Sequence, residues 1–384
     1  MFNVASASMG LAASLTALCL WGSWPTLRRK AFVSVPAFAP LNICSQFVTA
    51  VIMALTLGNM TSHGNAERFN AEIVTVFATV PAKKLIAVML GGFCLGHGDH
   101  IGAIAMEHIP GAIAYPCYSG IALAGGSLMN YAQEGSSNPF QLFFGLSLIG
   151  VGICLLAYVA VVKAAEAETL HSGVVVQPVS ARAPSVEDFH DRQNEGTPLI
   201  KGTENSPRAR SQPKLSAGPH TQEVQKLPQT HALGLCVLAG FCSASWSPLA
   251  AYGRLHDGYI NQVFFCAGQL VAIPSVAFIA SCVNRVPMSA AYRELTWVRS
   301  LWGLCCGLVV GSGFTCYFLA TQVLNTNIVF GLAACNPLLS IVIEILDGQF
   351  AGASLKLKLI LFSSIAVYGF AIYTLATLAA AQKV

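Results

Sequence analysis

Charge is what this sequence has least of. Only 10% of its 384 residues are Asp, Glu, Lys or Arg, against roughly 25% in an average soluble protein. Hydrophobic residues make up 54%, and the mean hydropathy is +0.61. That leaves too little charge to coat a water-facing surface of this size, which excludes a soluble enzyme, a disordered regulator and a secreted disulfide scaffold. Massed basic charge is also missing: the net charge of +4 is spread along the chain, so a nucleic-acid partner has no electrostatic support. No CxxC pair occurs among the thirteen cysteines, all of which fall inside apolar runs. They read as small, polarizable packing residues, and no metal or other cofactor is expected. The loops hold no paired acids and no nucleophile–base spacing, so an enzyme is not expected.

What is present is a series of long neutral runs. No charged residue occurs from 1 to 27, 31 to 66, 109 to 133, 135 to 162, 227 to 253, 258 to 284, 300 to 343 or 359 to 382. Between 85 and 106 there is one, Asp99. A spanning helix needs roughly 20 apolar residues, so the 44-residue run from Ser300 holds two, divided at Asn325-Thr326-Asn327. The pattern predicts an all-α membrane protein with ten transmembrane helices, at about 5–26, 37–58, 85–106, 110–132, 141–162, 231–252, 261–283, 298–322, 328–346 and 357–380. The runs lack the alternation of a membrane barrel.

Residues 163–230 differ in kind. They hold eight acidic and eight basic residues and a single aromatic, Phe189. Such a segment cannot offset the entropy of folding, so a disordered cytoplasmic linker is expected. It separates a first five-helix unit, 1–162, from a second, 231–384. The two units look like copies. Ser23-Trp24-Pro25 corresponds to Ser245-Trp246-Ser247-Pro248, Gln46-Phe47-Val48 to Gln269-Leu270-Val271, and Gly92-x3-Gly96-x-Gly98 to Gly307-x3-Gly311-x-Gly313. The offsets are 222, 223 and 215 residues. Because five is odd, the second copy must enter the membrane upside down, the arrangement of inverted repeats that alternate about a midplane site in many transporters. The glycine stripes either pack helices statically or also permit them to rock.

Basic residues near the membrane divide ten to five. Arg28, Arg29, Lys30, Lys163, Lys226, Arg285, Arg293, Arg299, Lys356 and Lys358 lie on one side; Arg68, Lys83, Lys84, Arg254 and Lys383 lie on the other. The first side is therefore expected in the cytoplasm, with both termini outside. The membrane could be the plasma membrane or that of an organelle. Asn59-Met60-Thr61 is the only glycosylation sequon.

Charged groups inside spans are costly enough to suspect of function. His97, Asp99 and His100 in the third segment are candidates for proton coupling or for lining a watery path. The alternatives are polar residues satisfied within the protein, or a two-ligand metal site. Glu344 is either a snorkelling end residue or a second acid facing a cavity. Trp24 and Trp246 occupy equivalent positions beside prolines, either as interfacial anchors or as stacking platforms for a ring-shaped solute. Tyr115 is of similar interest, as is Trp21. Gln46, Gln269, Gln322 and Asn336 add neutral donors and acceptors. With no Arg or Lys inside the spans, this set favours a small neutral polar solute, moved with protons through a lipid-embedded monomer or homodimer. A sugar carrier, a divalent-cation carrier and a membrane enzyme acting on a lipid-linked substrate are the alternatives.

The five-plus-five pattern resembles the drug/metabolite transporter superfamily. Within it, Trp21-Gly22-Ser23-Trp24-Pro25 is similar to the Gly-Thr-Trp-Pro segment that opens the plant ureide permeases. Residues 240–248 resemble that family's sixth helix, and Pro337-Leu338-Leu339-Ser340 through Gly348-Gln349-Phe350 its ninth. The glucose-uptake and rhamnose-proton symporter families share the Gly-Ser start. The resemblance implies proton-linked symport of allantoin-like ureides, uracil or related nucleobase products. Two features depart from it. Gly196-Thr197-Pro198-Leu199-Ile200-Lys201-Gly202-Thr203 reverses the Gly-Lys order of a phosphate-binding loop, so no ATP binding is expected. Gln349 stands where the family usually has Glu.

Overall fold

The computed structural model describes residues 6–58, 68–109, 111–136, 138–172, 227–255, 257–348, 350 and 352–381. The sequon at Asn59, residues 196–203, most of the expected linker and Gln349 lie outside this set. The chain divides into one unit of 1–164 with 224–384 and another of 165–223. Of the second unit, only the helical residues to Ser172 are described.

Helices form wherever the apolar runs predict them, and no strand occurs among the described residues. In chain order they are α1 (Ala7–Gly22), α2 (Trp24–Ala31), α3 (Val35–Thr56), α4 (Arg68–Thr79), α5 (Ala82–His108), α6 (Gly111–Glu134) and α7 (Pro139–Ser172). The second half contributes α8 (Gln229–Tyr252), α9 (Gly258–Asn284), α10 (Met288–Arg293), α11 (Trp297–Ala320), α12 (Thr326–Ala333), α13 (Asn336–Leu346) and α14 (Leu355–Ala381).

Eight stretches are long and apolar enough to cross a membrane: Val35–Thr56, Ala82–His108, Pro139–Lys163, Gln229–Tyr252, Gly258–Asn284, Trp297–Ala320, Thr326–Leu346 and Leu355–Ala381. The sequence reading counts two more. Its first span is split at Ser23, leaving α1 with 16 residues. Its fourth, α6, is made less apolar by Tyr115, Ser119, Asn130 and Gln133. The outward faces carry large apolar side chains, among them Ile52, Ile86, Phe241, Val271, Phe278, Phe362 and Phe370, each more than half exposed. A soluble monomer rarely shows so much apolar surface. Together with the eight long helices, it fits an integral, multi-pass membrane protein.

Other boundaries also differ from expectation. The ninth predicted span is two helices, parted at Ala334–Cys335 and restarted with Pro337 in the first turn; α2 likewise starts with Pro25. Proline suits a first turn because it has no N–H to leave unpaired there. The chain turns between α11 and α12, where Asn325 caps α12 by accepting from Asn327 N at 3.0 Å. α7 continues nine residues beyond Lys163, so helix occupies the start of the expected linker. α4 and α10 are additional short helices in loops.

Helix directions follow from the contacts. α9 runs parallel to α5: Gly92 backs onto Phe265, and Glu107 Oε2 accepts from Asn284 Nδ2 at 2.6 Å one helix length on. α11 runs parallel to α3, with Gly303 against Leu41 and Gly311 against Gln46 and Thr49. α8 is antiparallel to α5, since Gly98 meets Ser243 while Gly253 meets Lys84. α1 and α2 are antiparallel to α11: Trp21 Nε1 donates to Val310 O at 3.2 Å, and Lys30 sits over Trp302.

At one end of the bundle, Glu107 Oε1 accepts from Arg28 Nη2 and from Val35 N, both at 3.2 Å. Next to it, His108 Nδ1 accepts from Leu227 N at 3.3 Å. α8 therefore begins at the end where α2 finishes, and α1 and α8 run in opposite directions.

The packing of the two halves is reciprocal. Gly92 of α5 lies so close to α9 that a Cβ would collide with Phe265 O. Gly307 of α11 lies so close to α3 that a Cβ would collide with Asn42 O. Gly307 is 215 residues after Gly92, and Phe265 is 223 after Asn42, two of the offsets found between the repeated motifs. With lipid outside, such backbone approach replaces hydrophobic drive as a source of helix association.

Candidate functional site

A cavity of about 110 Å³ lies where α1, α2, α5, α6, α8, α11, α12 and α13 converge. That is space for several waters or a small organic solute. Both helix breaks border it. Trp21 and Trp24 flank the break at Ser23, Ala333 and Asn336 flank the break at Ala334–Cys335, and Ser340 Oγ donates to Gly22 O at 2.7 Å to join the two. Irregular backbone inside a membrane protein is tolerated where it is buried or lines a cavity.

The walls are largely aromatic. Trp24 stacks on Tyr115 with ring centroids 6.4 Å apart and planes 28° apart. Trp246 meets Trp21 edge-on at 6.1 Å, and Phe314 and Phe330 at 6.0 and 5.8 Å. Such pairs add about 0.5–1.5 kcal/mol each beyond area burial and hold the rings in fixed orientations. Both Trp24 and Trp246 are buried in the protein, 6% and 4% exposed, rather than turned to lipid.

Polar groups are few. The Tyr115 hydroxyl donates to Asn336 Oδ1 at 2.8 Å, linking the first half to the second. Asp99 is the one ionisable acid among the lining residues, and none of the described residues forms a hydrogen bond or ion pair with its carboxylate. Ser119 and Ser243 also line the space, the Ser243 hydroxyl itself being buried against Gly98.

Of the residues singled out in the sequence, Trp21, Trp24, Trp246, Tyr115, Asn336 and Asp99 come together here. The others lie elsewhere. His97 faces α9, with Nδ1 at 2.9 Å from Phe93 O and Nε2 at 2.8 Å from Ser275 Oγ. His100 is buried toward α3 beside Phe38, its Nδ1 bonded to Gly96 O at 2.8 Å. The three polar residues of that segment therefore point three ways, and only Asp99 reaches the cavity. Gln46 and Gln269 are buried against the glycine stripes of α11 and α5, each with an unpartnered Oε1. Gln322 donates to Phe318 O at 3.5 Å in the turn after α11. Glu344 pairs with Arg29 at 3.0 Å at the bundle end. No group of three or more His, Cys, Asp or Glu able to hold a metal occurs among the described residues.

Sequence reasoning missed Tyr118, Ser119, Ser243, Phe314 and Phe330. Helical spacing could have found two: Tyr118 is three residues after Tyr115, and Ser243 three before Trp246. The repeat offsets could have found the rest. Leu95, Asp99, Tyr115, Tyr118 and Ser119 line the cavity, and so do Val310, Phe314, Phe330, Ala333 and Ala334, each 215 residues later. Trp21 and Trp24 have Ser243 and Trp246, each 222 later. Fourteen of the seventeen lining residues thus fall into pairs at two offsets, so the two halves supply corresponding backbone positions to one chamber.

The sequence matches no protein-family model and no curated protein.

Proposed function

We propose that the protein is a secondary active carrier that takes a small, flat, polar solute across a membrane by alternating access, with Asp99 binding the coupling proton. In this reading, α1 with α2 and α6 also cross, which makes ten spans in two inverted five-helix repeats. The opposite directions of α1 and α8 and the reciprocal glycine contacts support that arrangement. The single observation that carries the function is the cavity itself: lined by corresponding residues of both halves, bordered by both helix breaks, and holding one unpaired acid.

Physical chemistry connects these features to transport. A carboxylate without a partner in a membrane interior is costly to keep charged, by roughly 2.5–3.5 kcal/mol on insertion scales. Binding a proton removes that charge. A carrier that turns over loaded only with this acid protonated, and returns empty only after releasing the proton, moves solute and proton together. The aromatic walls suit a ring face, and Tyr115, Asn336 and Ser119 suit hydrogen bonds at its rim. Among the described residues, no cation lines the cavity to recruit an anion. Ureides and nucleobases, the solutes implied by the ureide permease resemblance, have this chemistry, and the reading extends to them as a class.

The test is uptake of radiolabelled allantoin, uracil, xanthine, glucose and rhamnose by a host lacking its own carriers, with and without a protonophore. Accumulation of a ring solute that collapses with the protonophore is expected. A chain present at the membrane that accumulates none of them would refute the carrier.

A further inference from the structure

At the end of the bundle where α2 finishes and α11 begins, two cation–aromatic pairs cross. Lys30 of α2 lies over the Trp302 ring of α11, its Nζ 5.0 Å from the centroid. Arg299 of α11 lies over the ring of Phe32, just past the end of α2, at 5.3 Å. Both distances fall within the roughly 6 Å reach of such contacts. Each segment supplies one cation and one ring. Arg299 and Trp302 are three residues apart and therefore neighbours on the helix surface, so the two pairs sit side by side.

Neither cation forms an ion pair with a described residue. Their neighbours do: Arg28 pairs with Glu107 at 3.2 Å, and Arg29 with Glu344 at 3.0 Å. Arg299 Nη1 donates to Glu294 O at 3.2 Å, a bond that positions the guanidinium without neutralising it. From 285 to 299 the chain holds Arg285, Arg293 and Arg299 against one acid, Glu294. The surface is net positive with that acid counted. Phe32 is its unusual member: the backbone is left-handed, at φ 48°, and the ring is 59% exposed. Such a conformation is costly for a bulky residue, and here it sets the ring beneath Arg299.

Depth in the membrane follows from α11. Trp297, Leu301, Leu304 and Leu308 are all exposed and recur at helical spacing, an apolar stripe turned to lipid. Its first member is a tryptophan, the residue that marks the boundary between hydrocarbon and headgroups. Arg299 follows about 3 Å along the axis, which puts the paired cations at headgroup level. The other half supplies a comparison. Lys30 and Phe32 correspond to Tyr252 and Arg254 at the 222-residue offset, and Arg299 and Trp302 to Lys84 and Ala87 at 215. Among the described residues no cation–aromatic pair forms there, and Arg254 is tied to Glu134. One end of a duplicated fold holds unpaired cations on rings; the other commits its arginine to an acid.

We infer that the crossing of α2 and α11 is a docking surface for an anionic phospholipid, whose phosphate is held by Lys30 and Arg299 at the membrane surface. Basic side chains at that depth attract anionic lipid, and the rings keep these two in place. The inference does not rest on the carrier reading; it requires only an integral membrane protein.

The experiment offers the purified full chain in detergent either dioleoyl phosphatidylglycerol or dioleoyl phosphatidylcholine and counts retained lipids by native mass spectrometry. Wild type should favour phosphatidylglycerol by about fivefold or more. Lys30→Gln with Arg299→Gln should weaken its retention roughly tenfold or more, at about fivefold per cation, and leave phosphatidylcholine unchanged. Should that pair fail to fold, Lys30→Gln alone, at an exposed position, carries the test with a loss of about fivefold. Lys83→Gln with Lys84→Gln removes the same charge at the opposite end of α5 from Glu107 and should change neither lipid. Excess glycerol phosphate should not displace the bound lipid. Equal retention of both lipids by wild type, no loss in the Lys30 variants, or an equal loss in the Lys83 and Lys84 variant overturns the inference. Displacement by glycerol phosphate also overturns it, since the site would then serve a soluble phosphate. No solute enters the measurement, so either result leaves the uptake test of the carrier to be read separately.

Discussion

Arg254 and Glu134 meet across 2.5 Å at the end of the bundle where α8 and α6 both finish. Thr326 joins them: its N donates to Glu134 Oε2 at 2.9 Å, and its hydroxyl bonds Glu134 Oε1 and Arg254. At the opposite end, where α2 and α13 finish, Arg29 pairs with Glu344 at 3.0 Å. Each tie joins an arginine at or just after the end of a helix bearing a cavity tryptophan to a glutamate near the end of a helix of the other half, α6 or α13. In the carrier proposed above, the two would act as latches at opposite ends of the chamber. The Arg29 pair is the weaker, because the arginine is 48% exposed and its charge is screened by water.

Releasing the Arg254 latch should open its end of the chamber. In an Ala122→Cys background, with the new thiol in the cavity wall, Arg254→Ala is expected to speed labelling by a membrane-impermeant thiol reagent roughly three- to tenfold from that face. Peptide mass spectrometry distinguishes this site from the thirteen native cysteines. Unchanged labelling from both faces would show that the ion pair does not govern access.

Asp99→Asn keeps the shape of the side chain but cannot gain or lose a proton. Accumulation against a gradient should disappear, with the internal-to-external ratio falling to about one, while exchange of labelled for unlabelled solute persists. Concentrative uptake that survives this change would place the proton elsewhere.

Trp24 stacks on Tyr115 in the cavity wall, whereas Trp302 packs on Lys30 near the bundle end. Trp24→Ala is expected to raise KM by about tenfold, Trp24→Phe by less because a ring is retained, and Trp302→Ala not at all. Surface expression measured in parallel separates contact with solute from loss of fold, since deleting a buried tryptophan side chain costs roughly 3–5 kcal/mol.

Glycine stripes make a stability prediction independent of transport. Gly92→Ala and Gly307→Ala each drive a methyl into a backbone carbonyl and should destabilise by about 1–3 kcal/mol, the usual cost of overpacking. Gly150 of α7 has nothing within 4 Å of its Cβ position, and Gly150→Ala should be neutral or slightly stabilising, as alanine is the better helix former. Thermal melts of the purified variants check the contrast.

Much of the fold was legible because uncharged runs of spanning length have few alternatives to helix. The breaks in the first and ninth runs were harder to see. Pro25 and Pro337 mark them, yet proline also occurs inside the unbroken α3, α6, α8 and α9. Site residues were legible where a motif repeated, as with Trp24 and Trp246, and hidden where the copies had diverged, as with Phe314, the counterpart of Asp99, and Phe330, that of Tyr115. Gln46 and Gln269 repeat as faithfully as the tryptophans but lie where their backbones pack on the glycine stripes and do not line the cavity, because in a helix apolar all round no pattern records which side is inward.

The sequence by itself determined that this chain is helical and built for lipid, and it carried the motif spacings by which its halves look like copies. Those properties reside in composition, run length and spacing, which survive without three-dimensional information. Only the tertiary structure decided that Asp99 lines the cavity while His97 and His100 turn away. Direction around a helix is set by the neighbours it packs against, and those neighbours lie on other helices, as far off as Ser275 is from His97.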